Sequence, residues 1–304
     1  MTDRFDDSTA PRTGSLPVPG ATLRYQVRGS GPLVLLIPGG AGDAEVFHGV
    51  APALAARFTV ASYAPRGISG SPLDVPGQDQ KVEVHAADAA RLLDLLSPDE
   101  PGYVLGTSSG GITAVELLVR HPDRVRLAVA HEPPLARVLP EPQTALAGFA
   151  EAARAAAREG AGAGYARLGA VLGPAQEGAG DADEGAPAPL PDALRETVEA
   201  SSAHFLRHVL RPFTHHEPDL TALKAVADRL VVGVGRTSRG QLQHTIATTL
   251  AGAVGAECRQ FPGGHLGSVE HPSAFARVLE ETLLAAGPAT RWAGRASRRH
   301  PRPA

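Results

Sequence analysis

Gly106-Thr107-Ser108-Ser109-Gly110 is the stretch that constrains this chain most. It follows the short apolar run Tyr103-Val104-Leu105 and precedes Ile112–Arg120, whose apolar residues recur at helical spacing until His121-Pro122 ends the pattern. A serine held between two glycines on a tight strand-to-helix turn takes a strained backbone, and a Cβ at the flanking positions would clash. The helix that follows brings its N-terminal N–H groups and positive dipole end beside any negative oxygen formed there. The stretch therefore predicts a buried strand, a sharp turn and a crossover helix, with Ser108 as candidate nucleophile. An ordinary Gly/Ser turn is the bland alternative in a chain with 34 glycines, and the flanking strand and helix weigh against it.

The rest of the chain repeats this alternation. Leu23–Val27 alternates apolar and polar residues, Gly29–Pro32 is a turn, and Leu33–Ile37 is a continuous apolar run suited to a fully buried strand. A helix is expected at Ala51–Arg57, a strand at Phe58–Tyr63, a helix at Val82–Leu96 and a strand at Val125–Ala130. Such alternation predicts an α/β fold with a mostly parallel central sheet flanked by helices. The pattern breaks after Pro134. Residues 135–225 read as a helical cap or lid insertion, with helical stretches at Leu146–Arg158 and Leu194–Val209 and a flexible, low-complexity loop near 160–191. Strand character returns at Leu230–Val234 and Glu257–Phe261, and a helix follows at Ser273–Ala285. The expected organisation is a disordered leader at 1–15, a core formed by 16–134 and 226–287, and a disordered, Arg-rich tail at 288–304.

Composition narrows the function classes. The chain of 304 residues has one cysteine, Cys258, which excludes a disulfide-stapled scaffold and a cysteine zinc site. A net charge of −3 argues against nucleic acid as a partner. The longest aliphatic run, Leu33–Ile37, is far short of the roughly 20 residues of a membrane helix. Met1–Pro19 has no apolar signal region, so a cytoplasmic location without membrane attachment is expected. No dinucleotide fingerprint or phosphate loop is present, and no cofactor is implied. His215 and His216 are adjacent and point in different directions, with no third ligand at a suitable spacing, so no metal site is expected. His131, His204 and His208 are read as surface or pocket-lining residues, the last two facing a substrate from the insertion.

At several separated points the chain resembles the α/β-hydrolase-fold family, in particular actinobacterial-type serine hydrolases with a Pro-Gly-Gly oxyanion loop. The match runs from about Leu16 to Leu284. Pro38-Gly39-Gly40-Ala41-Gly42 resembles the family's oxyanion loop, and Tyr63-Ala64-Pro65-Arg66-Gly67 with Ser71 its Asp-x-Arg-Gly-x-x-x-Ser segment, although Ala64 replaces the aspartate. His121-Pro122-Asp123-Arg124-Val125 matches the end of the helix after the nucleophile. Pro262-Gly263-Gly264-His265 resembles the loop that presents a catalytic histidine. The resemblance implies Ser108 as nucleophile and His265 as general base. It further implies an oxyanion hole from the Ser109 and Gly40 amides, with Ala41 as the neighbour able to substitute.

The acid departs from the family pattern. The loop where it usually stands, Gly233–Arg239, contains no carboxylate, and Glu132, directly after the strand Val125–Ala130, is the candidate instead. A strand-end carboxylate that merely fixes its turn is the alternative. The expected chemistry is acyl transfer to water on an ester-like bond of a small-molecule substrate. Two rivals remain: a cofactor-free haloperoxidase-like or lyase-type enzyme on the same fold, and a catalytically silent hydrolase fold used for binding, which the missing carboxylate favours. Whether the insertion also builds a homodimer is left open.

Overall fold

The structure is a computed structural model that describes residues 11–174 and 192–286. Eight strands form one sheet among these residues: β1 Arg12–Val18, β2 Ala21–Arg28, β3 Leu33–Ile37, β4 Thr59–Tyr63, β5 Gly102–Thr107, β6 Val125–His131, β7 Leu230–Gly235 and β8 Glu257–Phe261. Their order is β1-β2-β4-β3-β5-β6-β7-β8. The β1–β2 and β2–β4 pairs are antiparallel, and every pair from β4 to β8 is parallel.

The continuous apolar run of β3 has a simple cause. Leu33, Leu35 and Ile37 join the core on one face of the sheet, while Val34 and Leu36 join the core on the other. A parallel strand buried on both faces cannot alternate apolar with polar residues. One face is covered by α2 Val82–Leu96, α3 Ser109–Arg120 and α9 Leu242–Val254, and the other by α1 Val50–Leu54 and α11 Pro272–Ala285. A short helix, α10 Gly267–Glu270, precedes α11.

Between β6 and β7 lie α4 Gln143–Glu159, α5 Ala161–Leu172, α6 Asp192–His204, α7 Leu210–Thr214 and α8 Leu220–Lys224, with a π-helical turn at Phe205–Val209 joining α6 to α7. Phe149, Phe205, Leu206, Leu210 and Phe213 tie these helices into the larger core. No helix among the described residues is long and apolar enough to cross a membrane.

Two expectations need correction. Residues 12–15, assigned to a disordered leader, form half of β1, where Arg12 to Ser15 pair with Val27 to Arg24 of β2. Their side chains are largely exposed. Strand order here comes from backbone pairing with β2, which leaves no hydrophobic periodicity to read. Part of the loop near 160–191 is likewise helical, as α5. Its glycine content reads as flexibility, yet Gly164 is buried, and a Cβ there would press on Ala156 and Leu206 and on the Ala152 carbonyl. The glycine permits a close helix–helix approach. Residues 1–10, the Asp/Gly-rich run within 175–191 and the Arg-rich tail lie outside the described residues.

Candidate active site

Ser108 sits between β5 and α3 with φ +52° and ψ −121°. Its neighbours explain the flanking glycines. A Cβ on Gly106 would run into the Gly110 carbonyl, and one on Gly110 into the Ile37 and Pro38 carbonyls at the end of β3. The turn is thus packed backbone to backbone, and Ser108 N–H donates to the His131 carbonyl of β6 at 2.9 Å. Ser109 is the first residue of α3, where a backbone N–H has no intrahelical acceptor.

Glu132 follows β6 and is fully buried. Its φ of +45° makes it, with Ser108, one of two non-glycine residues with positive φ among the described residues. The Glu132 amide donates to the Gly233 carbonyl at 2.9 Å. Its Oε1 accepts from the Gly235 amide at 2.8 Å and from the Ser238 hydroxyl, and its Oε2 lies 2.9 Å from His265 Nδ1. Burial alone disfavours the charged form of Glu132. The His265 hydrogen bond, the neighbouring His131 and the Ser238 hydroxyl outweigh that and hold the carboxyl down at about 2.

The structure thus brings Ser108, Glu132 and His265 to the ends of β5, β6 and β8. Ser238 was missed by sequence reasoning. The carboxylate-free loop after β7 supplies donors to an acid from the adjacent strand, and its lack of an acid was the available signal.

Gly40 and Ala41 line the same cavity as Ser108, Ser109 and His265. The Gly40 amide donates to Ser109 Oγ at 2.9 Å, so it already has a partner within the protein. The resembling segment at 63–71 is held without the aspartate: Ser71 Oγ accepts from the Arg24 amide at 2.8 Å and donates to the Ala64 carbonyl at 2.7 Å.

His131 stands elsewhere than expected, while His204 and His208 are half-exposed but away from the cavity. His131 is fully buried against the edges of the Phe261 and Phe275 rings, because its position on β6 faces the α11 side of the sheet. Burial pushes it down to about 4, with His265 adding to the effect and Glu132 opposing it. Neither His204 nor His208 lines the cavity around Ser108. His204 lies over Gly67, and His208 Nδ1 is 3.2 Å from Asp79. His215 and His216 turn to separate partners, Thr214 and Glu116.

The cavity over Ser108 has a volume of about 530 Å³. Helices between β6 and β7 supply much of its wall, including Phe149 of α4, Tyr165, Leu168 and Leu172 of α5, and Leu194 and Val198 of α6.

A mostly parallel sheet with a strained serine at the turn after β5, sharing a cavity with a histidine held by a buried acid, defines an α/β hydrolase. The chain belongs to the α/β-hydrolase-fold family, whose model, described as alpha/beta hydrolase fold, matches residues 32–172. It is 34% identical over 275 residues to the uncharacterized hydrolase YraK of Bacillus subtilis (strain 168), covering 89% of this chain and 95% of that one. It is 28% identical over 266 residues to a zearalenone hydrolase of Bionectria ochroleuca, covering 86% and 94%. Among solved structures, a thermophilic esterase from Thermogutta terrifontis superposes with a TM-score of 0.70 at 19% identity, over 92% of this chain and 100% of that one, a likeness of fold.

Proposed function

We propose that this protein is a serine hydrolase that cleaves an ester or lactone bond of a small molecule through an acyl-enzyme. The observation that carries the reading is the 2.9 Å approach of His265 Nδ1 to the buried Glu132 carboxylate, beside the strained Ser108 in one cavity. An acceptor-only carboxylate fixes the proton on Nδ1, which leaves Nε2 as the base. Ser108 Oγ attacks the carbonyl carbon as its proton passes to Nε2, and the imidazolium then protonates the departing alcohol. Water attacks the acyl-enzyme by the same route in reverse, so ester and water yield acid and alcohol.

The Ser109 amide receives the oxyanion, together with an amide of the Gly40-Ala41 pair; losing one such donor costs roughly 3–4 kcal/mol in other enzymes. The helices at 135–225 act as a cap that closes over the site. The zearalenone hydrolase relative supports the lactone alternative within the ester-like class.

The silent-binder rival drew its support from the missing carboxylate after β7, and the held Glu132 removes that support. Labelling with a fluorophosphonate probe tests the reading. Wild-type protein is expected to be labelled at Ser108 and to release p-nitrophenol from simple esters. Ser108→Ala should do neither, and labelling that persists in Ser108→Ala would overturn the assignment.

A further inference from the structure

Resting on that reading of Ser108, we infer that the substrate is a neutral, largely apolar ester or lactone of drug-like size, and that the cavity excludes anionic esters. The volume of about 530 Å³ falls within the span of roughly 300–1,000 Å³ typical of sites that enclose such molecules. An acetyl group would leave most of it empty. The walls are Phe149, Leu168, Leu172, Leu194, Phe205 and Phe213, drawn from five of the covering segments.

The charge pattern is one-sided. Among the described residues no lysine or arginine lines the cavity, and the lining carboxylate is that of Glu270. Three of the polar wall groups are already engaged: Gln241 Nε2 donates to the Gly173 carbonyl at 2.8 Å, Gln243 Nε2 to Gln241 Oε1 at 2.7 Å, and Thr214 Oγ1 to the Leu210 carbonyl at 2.8 Å.

That chain of donors fixes both amides. A carbonyl can only accept, so Gln241 turns its NH2 to Gly173 and its oxygen to Gln243. Gln243 Oε1 is then left buried without a partner. The unmatched wall atom is an acceptor, which repels a carboxylate. An anionic chain entering here would give up its water with no lysine or arginine at the wall to replace it.

The same asymmetry serves turnover. Hydrolysis converts a neutral ester into a carboxylate, the one product form that the walls do not hold.

The test compares p-nitrophenyl octanoate with the mono-p-nitrophenyl ester of octanedioic acid at neutral pH, two substrates that differ by a terminal carboxylate. Wild-type kcat/KM is expected to favour the neutral ester by about 100-fold or more, given the cost of an unpaired buried charge. It should also favour octanoate over acetate. Leu168 is half-buried, so Leu168→Arg can place a guanidinium at the wall while its stem stays apolar; it should narrow the neutral-to-anionic ratio at least about tenfold. Comparable kcat/KM for the two esters, or a ratio unmoved by Leu168→Arg, with Ser108 still labelled by a fluorophosphonate, would overturn this inference alone. Loss of that labelling in the wild type would overturn the serine-hydrolase reading together with it.

Discussion

Ser108 and Glu132 share a positive φ that other non-glycine residues among those described avoid, and they share it at the ends of adjacent parallel strands. Their φ angles are +52° and +45°, and the Ser108 amide is tied to the carbonyl of the residue before Glu132. Each such residue costs on the order of 1–3 kcal/mol and persists where its surroundings over-determine it. At Ser108 the surroundings are backbone from β3 and α3. At Glu132 they are the Gly233 carbonyl, the Gly235 amide and the Ser238 hydroxyl. The strain is placed where, in the proposed function, a nucleophile and an acid are aimed at one histidine.

Glu132→Gln keeps the shape of that arrangement and removes its charge. The amide can turn its NH2 toward His265 and impose the wrong tautomer, while the imidazolium formed on attack loses its counter-charge. The expected outcome is a fall in kcat of about a thousandfold to ten-thousandfold, with KM and the far-ultraviolet circular dichroism spectrum little changed. Near-normal kcat would mean that another group orients His265.

Gly110→Ala tests the turn itself. The added methyl would meet the Ile37 and Pro38 carbonyl oxygens, which belong to a strand buried on both faces and cannot retreat. A destabilisation of about 3 kcal/mol is expected from overpacking of this kind, read as a lower urea midpoint, together with loss of fluorophosphonate labelling. A variant with wild-type stability would show that the β3–α3 approach is looser than the structure has it.

Acid should unfold this protein in steps that follow its buried histidines. His85 is pushed down to about 3, first by burial and then by Arg66 and His204, and His131 to about 4, chiefly by burial. The unfolded chain takes up protons near 6.5 that the folded one refuses, so stability is full above that value and is lost as pH falls toward 4 and then 3. Each ring contributes on the order of 3 kcal/mol. Glu132, held at about 2 against an ordinary 4.5, adds a further loss below 4.5. Urea midpoints measured from neutral pH downward should begin to fall near 6.5, and His85→Phe should flatten the upper part of the slope. A midpoint that is flat until 4.5 would contradict the histidine account.

What could be read from the sequence was what local pattern determines. The elbow at Ser108, the two-faced strand Leu33–Ile37 and the helix Val82–Leu96 each carry their cause within a dozen residues, and each stands where it was expected. β1 carried no such signal, because its order is borrowed from β2. Nor did α5, whose Gly164 looks like slack until Ala156 and Leu206 are seen against it. α9 was not anticipated; its Thr- and Ala-rich turns become a helix by burying Ile246, Ala247 and Leu250 on the sheet. Glu132 was reached through the family resemblance, which allows an acid after the preceding strand where the loop after β7 has none. Ser238 carried only the indirect signal of that acid-free loop, because a hydroxyl that serves a carboxylate more than a hundred residues away in sequence is placed by tertiary approach.

The loop that carries Ala64 offers a last test, one of stability. Arg66 makes a two-pronged ion pair with Asp88 of α2, Nε to Oδ2 and Nη2 to Oδ1 both at 2.7 Å, with both side chains nearly out of solvent. Burial raises the Asp88 pKa, and the guanidinium opposes that rise. Two residues past Gly67, the Ser69 amide donates to Ser201 Oγ of α6 at 3.1 Å, so the pair also steadies one support of the cavity's covering helices. Removing one partner strands the other charge in the core, and Arg66→Met should therefore cost about 3–5 kcal/mol. Arg66→Met combined with Asp88→Leu should recover most of that loss, because no charge is then left buried. Urea denaturation of the two single variants and the double variant measures the coupling, and additive losses would show that Arg66 and Asp88 do not act as a pair.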